Sequence, residues 1–150
     1  MAGETDLRRL LADLRPELDP VRYAFVTVSG DRVPPGLSPV VTVAEAEGLT
    51  LVVPEEEADR AGLDHDYAAG RITLRVHSAL DAVGLTAAVA AELASAGLSC
   101  NVVAGYHHDH LFVPHERAEE AVRLLEALAD RSARAADSSR SDRSSGANEP

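Results

Sequence analysis

The sequence is poor in several residue types, and each shortage excludes a class of protein. It has one cysteine, Cys100, so no disulfide can form within the chain. It has two Phe, three Tyr and no Trp, so a core must be built mainly from aliphatic side chains. No apolar run approaches the roughly 18 residues of a membrane span, and no basic segment followed by an apolar stretch marks a signal peptide. These absences predict a cytoplasmic protein without a membrane partner.

Positive charge is also scarce. Lys and Arg number 14 against 25 Asp and Glu, which gives a formal net charge of -11. This charge repels phosphate backbones, and no Lys/Arg stripe or Walker-type glycine loop reverses it locally. We therefore expect no nucleic-acid partner. Apolar residues make up 45% of the chain, which is enough for a packed core.

Hydrophobic periodicity predicts alternating helices and strands over most of the chain. Leu7, Leu10, Leu11 and Leu14 share one face of a helix over Thr5–Leu14, capped by Thr5 or Asp6 and ended by Pro16. The further predicted elements, in chain order, are strands 23–29, 40–46 and 49–53, a short helix from Pro54 to Gly62, strand 71–77, a helix from Asp81 to about Ala96, strands 98–104 and 109–113, and a last helix from Pro114.

The chain contains an internal repeat. Residues 51–58 and 111–118 share L-x-V-P-x-E-x-A at a strand-to-helix junction, at an offset of 60. Residues 41–44 align with 101–104 at the same offset, and 27–29 align with 76–78 at an offset of 49. The difference of 11 is about three helical turns, so the first copy would have lost its first helix to the loop 30–39. The alternative is chance, because V-P-x-E is a common helix start.

The repeat predicts an α+β protein of two ferredoxin-like βαββα units, with antiparallel sheets and helices on one face. The expected organisation is an N-terminal helix and lead-in over 1–20, a first unit over 21–66, a second over 70–131, and a disordered tail over 132–150 that is rich in Ser, Arg, Asp and Ala.

Two segments of the second unit resemble ACT domains. Residues 77–86, H-S-A-L-D-A-V-G-L-T, resemble the ACT strand-to-helix turn, which often reads D-x-P-G-L; Val83 stands where Pro is common. Residues 98–114 are similar to a bacterial subgroup that carries two ACT-like units in one short chain. The resemblance implies an amino-acid-binding regulatory protein that pairs side by side as a homodimer. It implies neither an enzyme nor a cofactor.

The candidate ligand site is the start of the helix that follows this turn. Unpaired first-turn amides and the helix dipole favour a carboxylate there, and Gly84 lets a ligand approach the backbone. The amides near Val83, Gly84 and Leu85 are the candidates for the ligand carboxylate. Asp81 could pair an ammonium or cap the helix. Asn101, followed by Val102, could bind the ligand's polar groups or only local backbone, and Gly84 could instead serve helix-to-sheet packing.

A histidine-rich hairpin leaves other functions open. Strand alternation would place His108 and His110 on one face and Asp109 on the other. These residue types ligate metals, so a small metal-dependent enzyme is one alternative, although no HExxH or CxxC motif completes a site. A dimerisation module without a ligand is the other alternative, because ACT-like units leave sheet edges that a second chain can pair.

Overall fold

The computed structural model describes residues 6–145, with side chains through Ser141. The chain forms six strands and four helices over that range. In chain order they are α1 (Leu7–Ala12), β1 (Pro16–Val28), β2 (Val41–Glu45), β3 (Gly48–Pro54), α2 (Glu55–Arg60), β4 (Ala68–Leu74), α3 (Leu85–Ser95), β5 (Asn101–Ala104), β6 (Asp109–Pro114), a 3₁₀ turn (His115–Arg117) and α4 (Ala118–Ser145).

All six strands form one antiparallel sheet in the order β2-β3-β1-β4-β6-β5. The first unit contributes β1 to β3 and the second β4 to β6. The predicted α+β ferredoxin-like class is confirmed, and the two units share a single sheet. Because β1 and β4 pair with each other at its centre, each unit's first strand also closes the sheet of the other unit.

The strand registers confirm most of the repeat. Val41 pairs with Val52 just as Asn101 pairs with Phe112, so the offset of 60 holds through both hairpins. The first strands align differently from the prediction. Tyr23 pairs with Pro54 as Ala69 pairs with Pro114, which gives an offset of 46 rather than 49. The short T-V-S and V-H-S matches misled the alignment, because residues 76–78 lie beyond the end of β4.

The helices cover one face of the sheet. Alternate residues of β4 and β6, such as Ile72 and Leu111, pack against Leu10 of α1, Val89 of α3 and Leu125 of α4 in the main core. Ala58 of α2 packs in a smaller cluster with β1 and β3. On the opposite face, Tyr23, Val52, Ala69 and Phe112 form a third cluster with strand and loop neighbours.

Strands β1 and β4 both begin earlier than predicted, and one of the two predicted caps of α1 is observed. Strand β1 begins at Pro16, within the expected lead-in, because residues 16–18 pair with residues 72–74 of β4 before a bulge. Strand β4 spans 68–74 instead of 71–77, since its small residues 68–70 pair with β1. Asp6 caps α1 through the Arg8 and Arg9 amides, whereas Thr5 lies outside the described residues.

The disordered tail predicted from Ser132 is wrong over residues 132–145. Helix α4 continues through Ser145, and residues 146–150 lie outside the described part of the chain. This stretch lacks an apolar stripe and is dominated by Ser, but it contains three Ala and three Arg, which have high intrinsic helix propensity. An established helix is also extended at little cost compared with nucleation.

Candidate ligand-binding cleft

A small cleft lies where the β4–α3 loop, the first turn of α3 and the β5–β6 turn meet. It has a volume of about 70 Å³, and its polar lining includes Ser78, Thr86, His107, His108 and Asp109. The β4–α3 loop supplies one wall and the hairpin turn the other. The site therefore lies entirely in the second unit, where the helix missing from the first unit is present.

The α3 end of the cleft presents backbone donors. Gly84 is the N-cap residue with φ 98°, a left-handed conformation that favours glycine, and no side chain caps the helix. The first-turn amides of Leu85 and Thr86, which line the cleft, lack carbonyl partners within the helix. The helix dipole adds partial positive charge at this point. This wall suits a carboxylate.

The β5–β6 turn brings a carboxylate and imidazoles to the other wall. The Gly105 amide donates to the His108 carbonyl at 2.9 Å and closes the turn. A Cβ on Gly105 would approach that carbonyl oxygen to 2.7 Å, so only glycine fits without a backbone shift. The tight turn holds His107, His108 and Asp109 against the cleft.

The side chain of Asp109 is the acidic group of the cleft. Burial raises the pKa of Asp109, and the neighbouring His108 partly offsets that shift. No other described residue donates a hydrogen bond to this carboxylate. The cleft is thus lined by both a half-buried carboxylate and a helix N-terminus, groups of opposite sign that match the two charged groups of a free amino acid.

Positive charge surrounds the histidines of the turn. Burial lowers the pKa of His108 first, and Arg75, His107, His77 and Arg15 lower it further. The ring centroids of His77 and His107 are 6.3 Å apart, and those of His107 and His108 are 6.4 Å apart. The lowered pKa favours the neutral form of His108, whose imidazole can donate or accept a hydrogen bond to a ligand.

The structure brings together only part of the site predicted from the sequence. Leu85 lines the cleft, but Val83 and Gly84 do not. A Cβ on Gly84 would lie 3.0 Å from Leu7 of α1, so packing against α1 occupies the space beside this glycine. Asp81 is exposed and does not cap α3, because the helix begins at Leu85 after a turn closed by Ala82 and Ala79.

The predicted residues Asn101 and Val102 lie away from the cleft. They begin β5, whereas the cleft adjoins its other end at Ala104. The sequence prediction places Asp109 only in the alternative metal site. The signal that could have found it is the pairing of Ala104 with Asp109 across the hairpin, which places Asp109 beside the end of β5.

The predicted convergence of His108 and His110 does not occur. His108 precedes β6 and lines the cleft, so strand alternation does not apply to it. His110 lies on the opposite sheet face, where its Nδ1 is 3.0 Å from Thr73 Oγ1 and 3.4 Å from Arg71. Among the described residues, the group with three potential metal-ligating side chains is instead Glu55, Asp59 and His65.

Comparison with known proteins gives consistent matches. Two ACT-domain family models match residues 2–70 and 68–127. A crystal structure from Vibrio cholerae, described as a protein of unknown function and possible transport protein, is 46% identical, with a TM-score of 0.74, and the match covers 83% of this chain and 97% of that one. No curated protein matches.

More distant structures share the fold. A protein from Agrobacterium tumefaciens is 18% identical with a TM-score of 0.63, covering 76% of this chain and 87% of that chain. The ligand-free regulatory subunit of aspartate kinase from Thermus thermophilus is 12% identical with a TM-score of 0.51, covering 75% and 95%. Within residues 6–145, the helices are all too short or too polar to cross a bilayer.

Proposed function

This chain belongs to the ACT-domain family, and we propose that it is a regulatory protein that binds a free amino acid, or a related small carboxylate, in the cleft at the start of α3. The observation that carries the proposal is that Asp109 and the uncapped first turn of α3 line the same cleft. In this arrangement the Leu85 and Thr86 amides receive the ligand carboxylate, and Asp109 accepts hydrogen bonds from its ammonium.

The size of the cleft limits what it encloses. A volume of about 70 Å³ is well below the roughly 300–1,000 Å³ of pockets that bury whole drug-sized ligands. We therefore expect the cleft to hold the carboxylate, ammonium and α-carbon, with the ligand side chain directed towards the mouth. Leu80, Val83 and Tyr106, here called the apolar rim, are the exposed apolar residues of the two segments that bound the cleft.

The test is a thermal-shift screen of the 20 amino acids at millimolar concentration. A ligand at about 100 times its dissociation constant stabilises the folded state by about 2.7 kcal/mol. Asp109→Asn removes the charge with little change in shape. It should weaken binding about 10- to 100-fold, the range expected for losing a hydrogen bond to a charged group. Because burial raises the pKa of Asp109, the ionised carboxylate is disfavoured, and the variant should be at least as stable without ligand.

Asp81→Asn is the matched control. The same chemical change is made at an aspartate that is exposed and near the cleft but does not line the cleft. The Asp81→Asn variant should bind amino acids as the unmodified protein does. Equal loss of binding in both variants would assign the effect to general charge rather than to Asp109. A folded protein that responds to none of the amino acids would contradict the proposal.

The apolar rim favours a second candidate, a module that acts by binding a protein partner. Leu80, Val83 and Tyr106 are 68%, 84% and 80% exposed, higher fractions than the other exposed large apolar residues of the described chain. Large exposed apolar side chains beside a cleft are a feature of interaction surfaces. This candidate would be supported if Asp109→Asn still bound a protein partner and the unmodified protein showed no thermal shift with any amino acid.

A further inference from the structure

We propose that Glu55, Asp59 and His65 bind one divalent transition-metal ion per chain, with Zn²⁺ the best match to the ligand set. These residues lie in the first unit, at α2 and the segment that leads from it to β4, remote in sequence from the cleft. One ligand atom from each lies within 4.8 Å of the other two. Carboxylate and imidazole are both ligands of Zn²⁺.

The backbone holds the three side chains in place. Glu55 and Asp59 are four residues apart on α2, so they share one face of the helix. Gly62, with φ 67°, reverses the chain after the helix, and the Leu63 amide donates to the Ala58 carbonyl at 2.9 Å. This helix-ending turn directs His65 back over α2, where its Nε2 lies 2.6 Å from Asp59 Oδ1.

Two of the three side chains are mostly buried and one is exposed, as expected for a metal site that solvent can reach. The side chain of His65 is only 13% exposed, and that of Glu55 is 22% exposed, so both are held by their surroundings. Asp59 is 62% exposed and borders an open cleft of about 420 Å³ together with Glu55. The protein side therefore offers three donors, and the cleft leaves a fourth position for water, as in zinc sites with three protein ligands.

Arg22 supplies the outer support that metal ligands commonly have. Its Nε donates to Glu55 Oε2, and its NH1 lies 3.4 Å from His115 Nδ1. Such hydrogen bonds fix the orientation of a ligating carboxylate. Four-coordinate Zn²⁺ with bonds of about 2.0–2.2 Å separates its donors by about 3.3 Å. Shifts of the ligand atoms of about 1 Å, reached by side-chain rotation, would therefore convert the present cluster into a coordinated site.

The second unit provides an internal comparison. At the offset of 60, Glu55 and Asp59 correspond to His115 and Glu119. The helix of the second unit continues through Leu125, whereas α2 ends before His65, so the second unit has no returning segment that could supply a histidine. Leu125 is fully buried in the main core and offers no ligand atom. The repeat therefore lacks the third donor, and one site per chain is expected rather than two.

The test is calorimetric titration of the chelator-treated full chain with Zn²⁺. We expect one equivalent to bind, and His65→Gln or Glu55→Gln to weaken binding at least tenfold, within the 10- to 100-fold range typical even of outer-shell changes. Glu56→Gln is the matched control. It removes the same charge from the same helix turn, but Glu56 pairs with Arg60 and is not one of the three ligands, so it should leave the affinity within about twofold.

Two further readouts make the result decisive. Far-ultraviolet circular dichroism without metal checks that each variant is folded, and the visible absorption of bound Co²⁺ should change in His65→Gln. Absence of stoichiometric binding in the folded chain would overturn the proposal. So would equal weakening by Glu56→Gln, or retention of binding in His65→Gln with loss in His107→Gln, which would move the metal to the cleft histidines.

Discussion

At the scale of single residues, His110, on the sheet face opposite the helices, should make the stability of the fold depend on pH. Burial lowers the pKa of His110, and Arg71, His108 and Arg75 lower it further. The folded state therefore takes up a proton less readily than the unfolded chain, whose histidines titrate near pH 6.5. Stability from this group is complete above that pH and declines as the pH falls below it.

We expect the free energy of unfolding, measured by urea titration, to fall between pH 7.5 and 5.5. The fall should be smaller in His110→Gln, since a glutamine cannot be protonated. His108 and Asp109 are present in both proteins, so the difference between the two pH profiles reports His110 together with its electrostatic interaction with His108. Identical profiles would mean that protonated His110 is accommodated in the folded state, for example by rotating away from Arg71.

At the same scale, the sequence identifies the helix start that borders the cleft but not the acidic residue Asp109 that lines it. The glycine turn before α3 was recognisable locally, and Leu85 does line the cleft. Asn101 and Asp109 are both polar residues at strand ends, and nothing in their local sequence distinguishes them. The packing of α3 over the hairpin decides which strand end meets the helix start, and this tertiary contact cannot be read from periodicity.

At the scale of elements, β4 and α4 approach each other through two small residues. A Cβ on Gly70 would lie 2.6 Å from the Cβ of Ala118, the last residue of the second L-x-V-P-x-E-x-A motif. In the first unit the equivalent residues are Ala24 and Ala58, and both are fully buried. The second unit therefore brings its helix start closer to the sheet than the first unit can with alanine on the strand.

We expect Gly70→Ala to destabilise the fold by about 1–3 kcal/mol, the usual cost of overpacking a core. Ala118→Gly alone should cost up to about 1 kcal/mol through helix propensity. The double variant should recover much of the loss from Gly70→Ala, because the two methyl groups no longer collide. Urea unfolding of all four proteins gives the coupling energy, and strictly additive losses would contradict the close approach.

The elements also show where sequence reasoning is dependable. The shared junction motif gave the offset of 60, and both hairpins follow it, because buried Leu51 and Leu111 and the helix-starting prolines are local signals. The N-terminal half of β1 was missed because it contains Pro16 and Pro20 and has no clear alternation. It is a strand because β4 pairs with it from across the molecule.

At the scale of the whole molecule, the two units are interdependent. The β1–β4 pairing, from Pro16 opposite Leu74 to Ala24 opposite Ala68, joins them into one sheet. In addition, α1 precedes the first unit in sequence but packs in the main core with α3 and α4 of the second. The site of the second unit therefore depends on the N-terminal helix, because Leu7 of α1 lies against Gly84 at the start of α3.

The apolar rim connects this site to self-association, which stays a prediction. If Leu80, Val83 and Tyr106 are covered by a second copy, ligand binding and dimerisation are linked, since the rim borders the cleft. We expect light scattering after gel filtration to show a dimer at micromolar concentration. The amino acid found in the thermal screen should lower the dimer dissociation constant about 5- to 150-fold, the usual range of coupling between sites.

Replacing the rim residues with serine should give a folded monomer. Val43→Lys, on the edge strand β2 far from the cleft in the sheet order, is the control for pairing through that sheet edge, and it should leave the dimer intact. A monomeric Val43→Lys variant and a dimeric rim variant would reverse the assignment. If the dimer forms through β2, ligand binding should not change the dimer dissociation constant. The β2 edge lies at the opposite end of the sheet from the hairpin that forms the cleft.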